Sequence, residues 1–80
     1  MTFEWDESKN QENKLKHGIS FEQVVPLFEQ PHELEYDSDH SSVEEERWII
    51  RGKLMEIGSV MVVHTEEVEG LIRIISARKE

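Results

Sequence analysis

The sequence predicts an α+β domain: a short opening strand, two helices, then a mostly antiparallel sheet of about four strands. Three observations predict it. Helix-capping residues gather before Pro31, branched and aromatic runs dominate after it, and those runs recur at hairpin spacing between polar or Gly-bearing turns. An 80-residue chain with 36% hydrophobic residues has material for one thin core. A single domain over residues 1–80 is therefore expected.

Each element follows from local chemistry. Phe3-Glu4-Trp5 alternates apolar and polar, as a short strand does. Asp6 can cap a helix from Glu7 to His17, with Gly18 as its left-handed stop. Leu15 is its one clear apolar residue, so this reads as a surface helix with little to bury. Ser20 and Gln23 have capping-box spacing, and Phe21, Val24, Val25 and Phe28 recur at helical intervals. Pro26 removes a backbone donor inside that second helix and is expected to bend or shorten it. Pro31 marks the exit.

His32 to Asp37 then reads as a strand and Ser38 to Ser42 as a polar loop. Arg47 to Arg51 is strand-like, ended or bulged by Gly52. Met55 to Ser59 makes a hairpin turn around Gly58, and Val60 to Thr65 is the clearest strand. Glu66 to Gly70 forms an acidic turn, and Leu71 to Ser76 runs back as the last strand. Helices cover one face of such a sheet and leave the other open.

Charge is unevenly spread. Lys and Arg total 9 against 18 Asp and Glu, a net charge of −9, which on its face disfavours a polyanionic partner. Yet the eight acids between Glu29 and Glu46 have no Lys or Arg among them, whereas Arg47, Arg51 and Lys53 follow with no acid between. Arg73, Arg78 and Lys79 close the chain against the single Glu80. The acidic stretch is a solvated rim, or a set of carboxylates offered to a basic partner. The absence of Cys removes disulfides, thiolate zinc sites and cysteine nucleophiles. The longest apolar run, Val60 to Val63, is far too short to span a membrane, and the acidic N-terminus is unlike a secretory signal. A cytoplasmic location is expected.

The four histidines, His17, His32, His40 and His64, show no helical pair spacing, so neither a metal site nor a cofactor is expected. Asp37, Asp39 and His40 can hold a cation, but a polar loop explains them as well. Strict alternation on the last strand puts Arg73 with Leu71 and Ile75, and puts Ile72, Ile74 and Ser76 on the other face; Arg78 has the parity of Ser76 but follows the regular strand, so alternation does not fix its direction. His64 shares parity with Val60 and Val62. An arginine among branched side chains needs an acceptor. Either Arg73 pairs with a carboxylate of the acidic stretch from Glu29 to Glu46, which composition favours, or Arg47, Arg73 and Arg78 converge on a phosphate, which suits the guanidinium fork.

Such a cluster with one His is sufficient for RNA cleavage without a metal. The substrate's 2′-hydroxyl is the nucleophile, and the protein supplies proton transfer and positive charge. His64 is the candidate proton carrier, although a His bonded within the sheet explains it equally. His17 suits a helix C-terminus, where its charge meets the dipole. Trp5 and Trp48 can stack on bases, but core packing is the safer assignment for both.

The residues so assembled resemble the BrnT toxin family. Phe3, Trp5, Asp6, Lys9 and Asn13, then Lys16-His17-Gly18-Ile19-Ser20-Phe21, Phe28 and Pro31 are similar to its opening. Glu45-Glu46-Arg47-Trp48, Gly52, Val62-Val63-His64-Thr65 and Ile72-Arg73-Ile74-Ile75-Ser76-Ala77-Arg78 continue the pattern in order. The resemblance implies a RelE-like fold and the toxin of a type II toxin–antitoxin pair. It implies a metal-independent ribonuclease that stops translation, is neutralised by a BrnA-like antitoxin in a hetero-oligomer, and meets operator DNA only through that antitoxin. It also implies roles in catalysis for Arg47, Arg73 and Arg78. Ser76, Lys53 and Lys79 are the accompanying candidates for RNA contact, and no cofactor is implied. Two features depart from the pattern: Glu66-Glu67 stands where relatives commonly carry a base, and the chain stops at Glu80, so the family's charged C-terminal helix is missing. The rival reading is a non-catalytic binding module that keeps the fold and the antitoxin-binding surface.

Overall fold

In the computed structural model, which describes residues Met1–Glu80, two short helices pack on one face of a five-stranded sheet. The elements are β1 (Thr2–Glu4), α1 (Glu7–His17), α2 (Phe21–Val24) continuing as a 3₁₀ turn (Val25–Glu29), β2 (Glu33–Tyr36), β3 (Trp48–Leu54), β4 (Gly58–Val68) and β5 (Leu71–Lys79). Strand order is β1-β5-β4-β3-β2. The last four strands are antiparallel, as expected. The opening strand corrects the expected count. It joins the sheet as a fifth strand, parallel to β5, with Glu4 opposite Arg73.

Both N-caps form as read. Asp6 accepts from the Ser8 and Lys9 amides, and Gly18 ends α1 at φ 70°. Ser20 and Gln23 close a reciprocal capping box at α2. Pro26 acts as expected: after Val24 the helix tightens into the 3₁₀ turn, with Pro in its first positions.

The core lies between these helices and the inner sheet face. Ile19, Phe21, Val24 and Leu27 are fully buried against Ile50, Val60, Val62, Ile72, Ile74 and Ala77. Phe3 and Trp5 seal its edge, with Trp5 edge-on to Phe21. Gly52 does not end β3, which runs on to Leu54. Glycine is required there for a different reason: a Cβ would lie 2.6 Å from Leu27 Cδ1 and 3.3 Å from the Pro31 carbonyl oxygen.

Helix α1 is docked by polar groups. Leu15 is exposed, and the buried residues of the helix are Asn10 and Asn13. Asn13 donates to the Ile19 and Ala77 carbonyls at 2.9 and 2.7 Å and accepts from the Ala77 amide at 3.2 Å. Asn10 accepts from the Phe21 amide and donates to Glu22. Each asparagine thereby satisfies backbone groups that would otherwise be buried unpaired.

Candidate functional site

The sheet face opposite the helices carries a groove of about 460 Å³. Arg47, Arg51 and Arg78 reach into it with Ser76, and Asp37 and His40 border it from the β2–β3 loop. Ile49, Met61, Val63 and Ile75 form the apolar floor. Two features of the chain build this site.

The first is a β-bulge in β5. Val63 lies opposite Ser76, but His64 lies opposite Ile74, so Ile75 is an extra residue on β5. Ile74 and Ala77 both face the core, and the two residues between them both turn outward. Ser76 therefore sits on the open face, not with Ile72 and Ile74 as strict alternation expects. Arg78, two residues on, shares that face. Without the bulge, alternation from Ile74 would turn Ala77 out of the core and Ser76 and Arg78 into it.

The second is the loop between Tyr36 and Trp48, which its own hydrogen bonds hold. The Asp37 amide donates to the Arg47 carbonyl at 2.9 Å, and the Arg47 amide donates to Ser41 Oγ at 2.8 Å. Ser42 is tied to Glu45 through backbone and side chain alike. These bonds fix where Arg47 leaves the loop and enters β3.

The arginines differ in how far they are neutralised. Arg47 donates through Nε to Glu45 at 2.8 Å, leaving the outer edge of its guanidinium unengaged. Arg51 is held by Glu35 and, at 3.3 Å, by Glu80, and these carboxylates raise its pKa above the ordinary arginine value. Arg78 is exposed and has no carboxylate within 4.0 Å. It is the open positive end of the groove. Arg51 was not among the expected site residues, although alternation in Arg47-Trp48-Ile49-Ile50-Arg51 aligns it with Arg47.

Other expected site residues lie elsewhere. Arg73 is on the open face of β5, the strand that also carries Ser76 and Arg78, but it turns to β1, where its Nη1 meets Glu4 Oε2 at 2.8 Å beside Thr65 and Glu67. Lys53 is exposed opposite Ser59, near the far end of the β3–β4 hairpin. Lys79 turns to the helix side, its Nζ 3.7 Å from the space a Gly18 Cβ would fill. Trp48 stacks edge-on with Tyr36 next to Glu44, Glu46, Glu66 and Glu67. No group of three or more His, Asp or Glu side chains converges to hold a metal ion.

His64 is on the core side, 5% exposed, with its ring edge-on to Phe28 at 5.0 Å. The structure separates it from Arg47, Ser76 and Arg78 by the thickness of the sheet, so it cannot pass protons to a group in the groove. The reason is parity: His64 follows Val60 and Val62 inward. Its Nδ1 has no hydrogen-bond partner. Burial pushes its pKa down from 6.5 to about 4, against an opposing pull from Glu66. The unfolded chain therefore takes up this proton before the folded one does. Stability should be unaffected by His64 above pH ~6.5 and fall as pH drops from there towards ~4. Urea midpoints measured across that interval should show the fall in the wild type and a flatter profile in His64→Phe.

A family model described as "Ribonuclease toxin, BrnT, of type II toxin-antitoxin system" matches residues 5–80. The chain belongs to the BrnT family. Its fold also matches the 1.1 Å crystal structure of the Brucella abortus ribonuclease toxin BrnT, with a TM-score of 0.81 and 22% identity. That match covers 100% of this chain and 96% of the Brucella chain. No curated protein matches in sequence. The BrnT pattern thus accounts for nearly the whole chain, including the strand-bulge-strand segment from Ile72 to Arg78.

Proposed function

We propose that this chain is the RNA-cleaving toxin of a two-component pair, with a RelE-like sheet as its working surface. It cuts RNA without a metal ion, stops translation in the cytoplasm, and is silenced by a BrnA-like antitoxin that alone brings the complex to operator DNA. One observation carries the reading. Arg78 presents an unpaired guanidinium in the groove that Ser76, Arg47 and Arg51 also line, over an apolar floor on the sheet face that no helix covers.

That arrangement suits a phosphodiester. Two guanidinium forks and a hydroxyl can bind the non-bridging oxygens, and their charge opposes the negative charge that builds on a five-coordinate phosphorus. The apolar floor strengthens those interactions by excluding water from one side. Arg73, already paired with Glu4, is outside this arrangement and serves the sheet edge.

A second reading has an observation of its own. Arg47, Arg51 and Arg73 each have a carboxylate partner, as befits a binding module that no longer engages RNA. One experiment separates the two. Purified chain, with a chelator present, should degrade RNA to fragments ending in 2′,3′-cyclic phosphate, and an added BrnA-like protein should stop it. A stable complex with that protein but no degradation at any concentration would favour the binding module.

A further inference from the structure

We propose that His40 is the proton-accepting residue of the groove and that Asp37 is its positioning residue. This rests on the ribonuclease reading above and names the proton carrier that the structure denies to His64.

The geometry is that of an oriented imidazole. Asp37 is buried, its side chain 8% exposed, and His40 Nδ1 lies 3.0 and 3.1 Å from its two carboxylate oxygens. An ionised carboxylate can only accept, so Nδ1 carries the hydrogen and Nε2 is left with its lone pair outward. Nε2 has no partner within the protein, and the His40 side chain is 68% exposed at the groove that Arg47 and Arg78 line. A buried acid spent on an exposed imidazole contributes little to stability, because the pair's open end is solvated. It does fix the tautomer and the aim of the ring.

The loop reinforces that aim. The Ser41 amide donates to the Asp37 carbonyl, and Ser41 Oγ takes the Arg47 amide, so His40 lies inside a turn closed on both sides. The charged groups that line the groove with it are Asp37 and Asp39 from the loop, Arg47 and Arg51 from β3, and Arg78 from β5.

The step balances with the substrate alone. The ribose 2′-oxygen bonds to phosphorus as its proton passes to His40 Nε2. The bond from phosphorus to the 5′-oxygen breaks, and that oxygen leaves with a proton from water. The products are a 2′,3′-cyclic phosphate and a 5′-hydroxyl, and His40 returns its proton to solvent.

The test uses the whole chain, a short RNA, and the same RNA with 2′-O-methyl groups as an uncleavable probe. His40→Gln should lower the cleavage rate at least ~100-fold. Affinity for the methylated probe should change by less than about threefold, and the acid limb of the pH–rate profile should disappear. Asp37→Asn, which keeps the shape but ends the carboxylate's role, should lower the rate with the same probe affinity. Wild-type cleavage retained in His40→Gln with an unchanged pH profile would overturn the assignment and leave the ribonuclease reading intact. No cleavage by the wild type itself would overturn both.

Discussion

Arg78→Ala should lower RNA cleavage by at least ~100-fold without lowering the urea midpoint. The size follows from what is lost: a charged donor facing developing phosphoryl charge in a groove with one dry wall, where a single such donor is commonly worth that much. The unchanged stability follows because Arg78 is exposed and bonded to no carboxylate. Arg78→Lys should recover part of the rate, since it restores charge but not the two-pronged contact. The contrast is Arg73→Ala, which removes an exposed ion pair with Glu4 worth at most ~1 kcal/mol and should change cleavage by less than ~3-fold. Initial rates on one RNA at fixed ionic strength decide it. Equal losses in both variants would mean that the functional surface spans the sheet and is not confined to the groove.

Asn13→Ala should cost about 3 kcal/mol, read from urea unfolding. The substitution removes three buried hydrogen bonds and strands the Ile19 carbonyl and both backbone groups of Ala77, each stranded group costing ~1–3 kcal/mol. For a domain of this length that is a large share of total stability, since ~0.05–0.15 kcal/mol per residue is usual. The effect reaches the site as well, because Ala77 lies between Ser76 and Arg78 and next to the bulge at Ile75. Hydrogen exchange at the Ala77 amide should quicken in this variant. A loss below ~1 kcal/mol would show that α1 is docked by something other than this side chain.

These two residues also mark how far the sequence could be read. The caps at Asp6 and Ser20, the tightening at Pro26 and the antiparallel order of the last four strands follow from local chemistry, and local chemistry is what a sequence displays. The parallel pairing of β1 with β5 joins the two ends of the chain, and nothing within Thr2–Glu4 reports it. Asn13 was legible only as part of a family pattern, since its partners lie as far away as Ala77.

The site was half legible for a similar reason. Arg47 and Arg78 were expected in it and line the groove. Arg73 was expected beside them and shares β5 with Ser76 and Arg78, but its guanidinium is taken by Glu4 on β1, a partner that alternation within one strand does not display. Ser76 was expected on the wrong face, because one inserted residue at Ile75 inverts every later parity. His64 faced inward in the alternation itself. Composition favoured an ion pair between Arg73 and the acidic stretch; Arg73 is paired, but with Glu4, which lies outside that stretch, while Arg78 stands apart.

The most direct measurement is a titration of the isotope-labelled chain with a 2′-O-methyl RNA, followed by backbone and guanidinium NMR signals. If an unneutralised arginine end of an uncovered sheet face receives the phosphate, the largest saturable shifts should fall on Arg47, Ser76 and Arg78, and rising salt should weaken them together. Saturable shifts centred on Glu4 and Arg73, or on α1 and α2, would contradict the account.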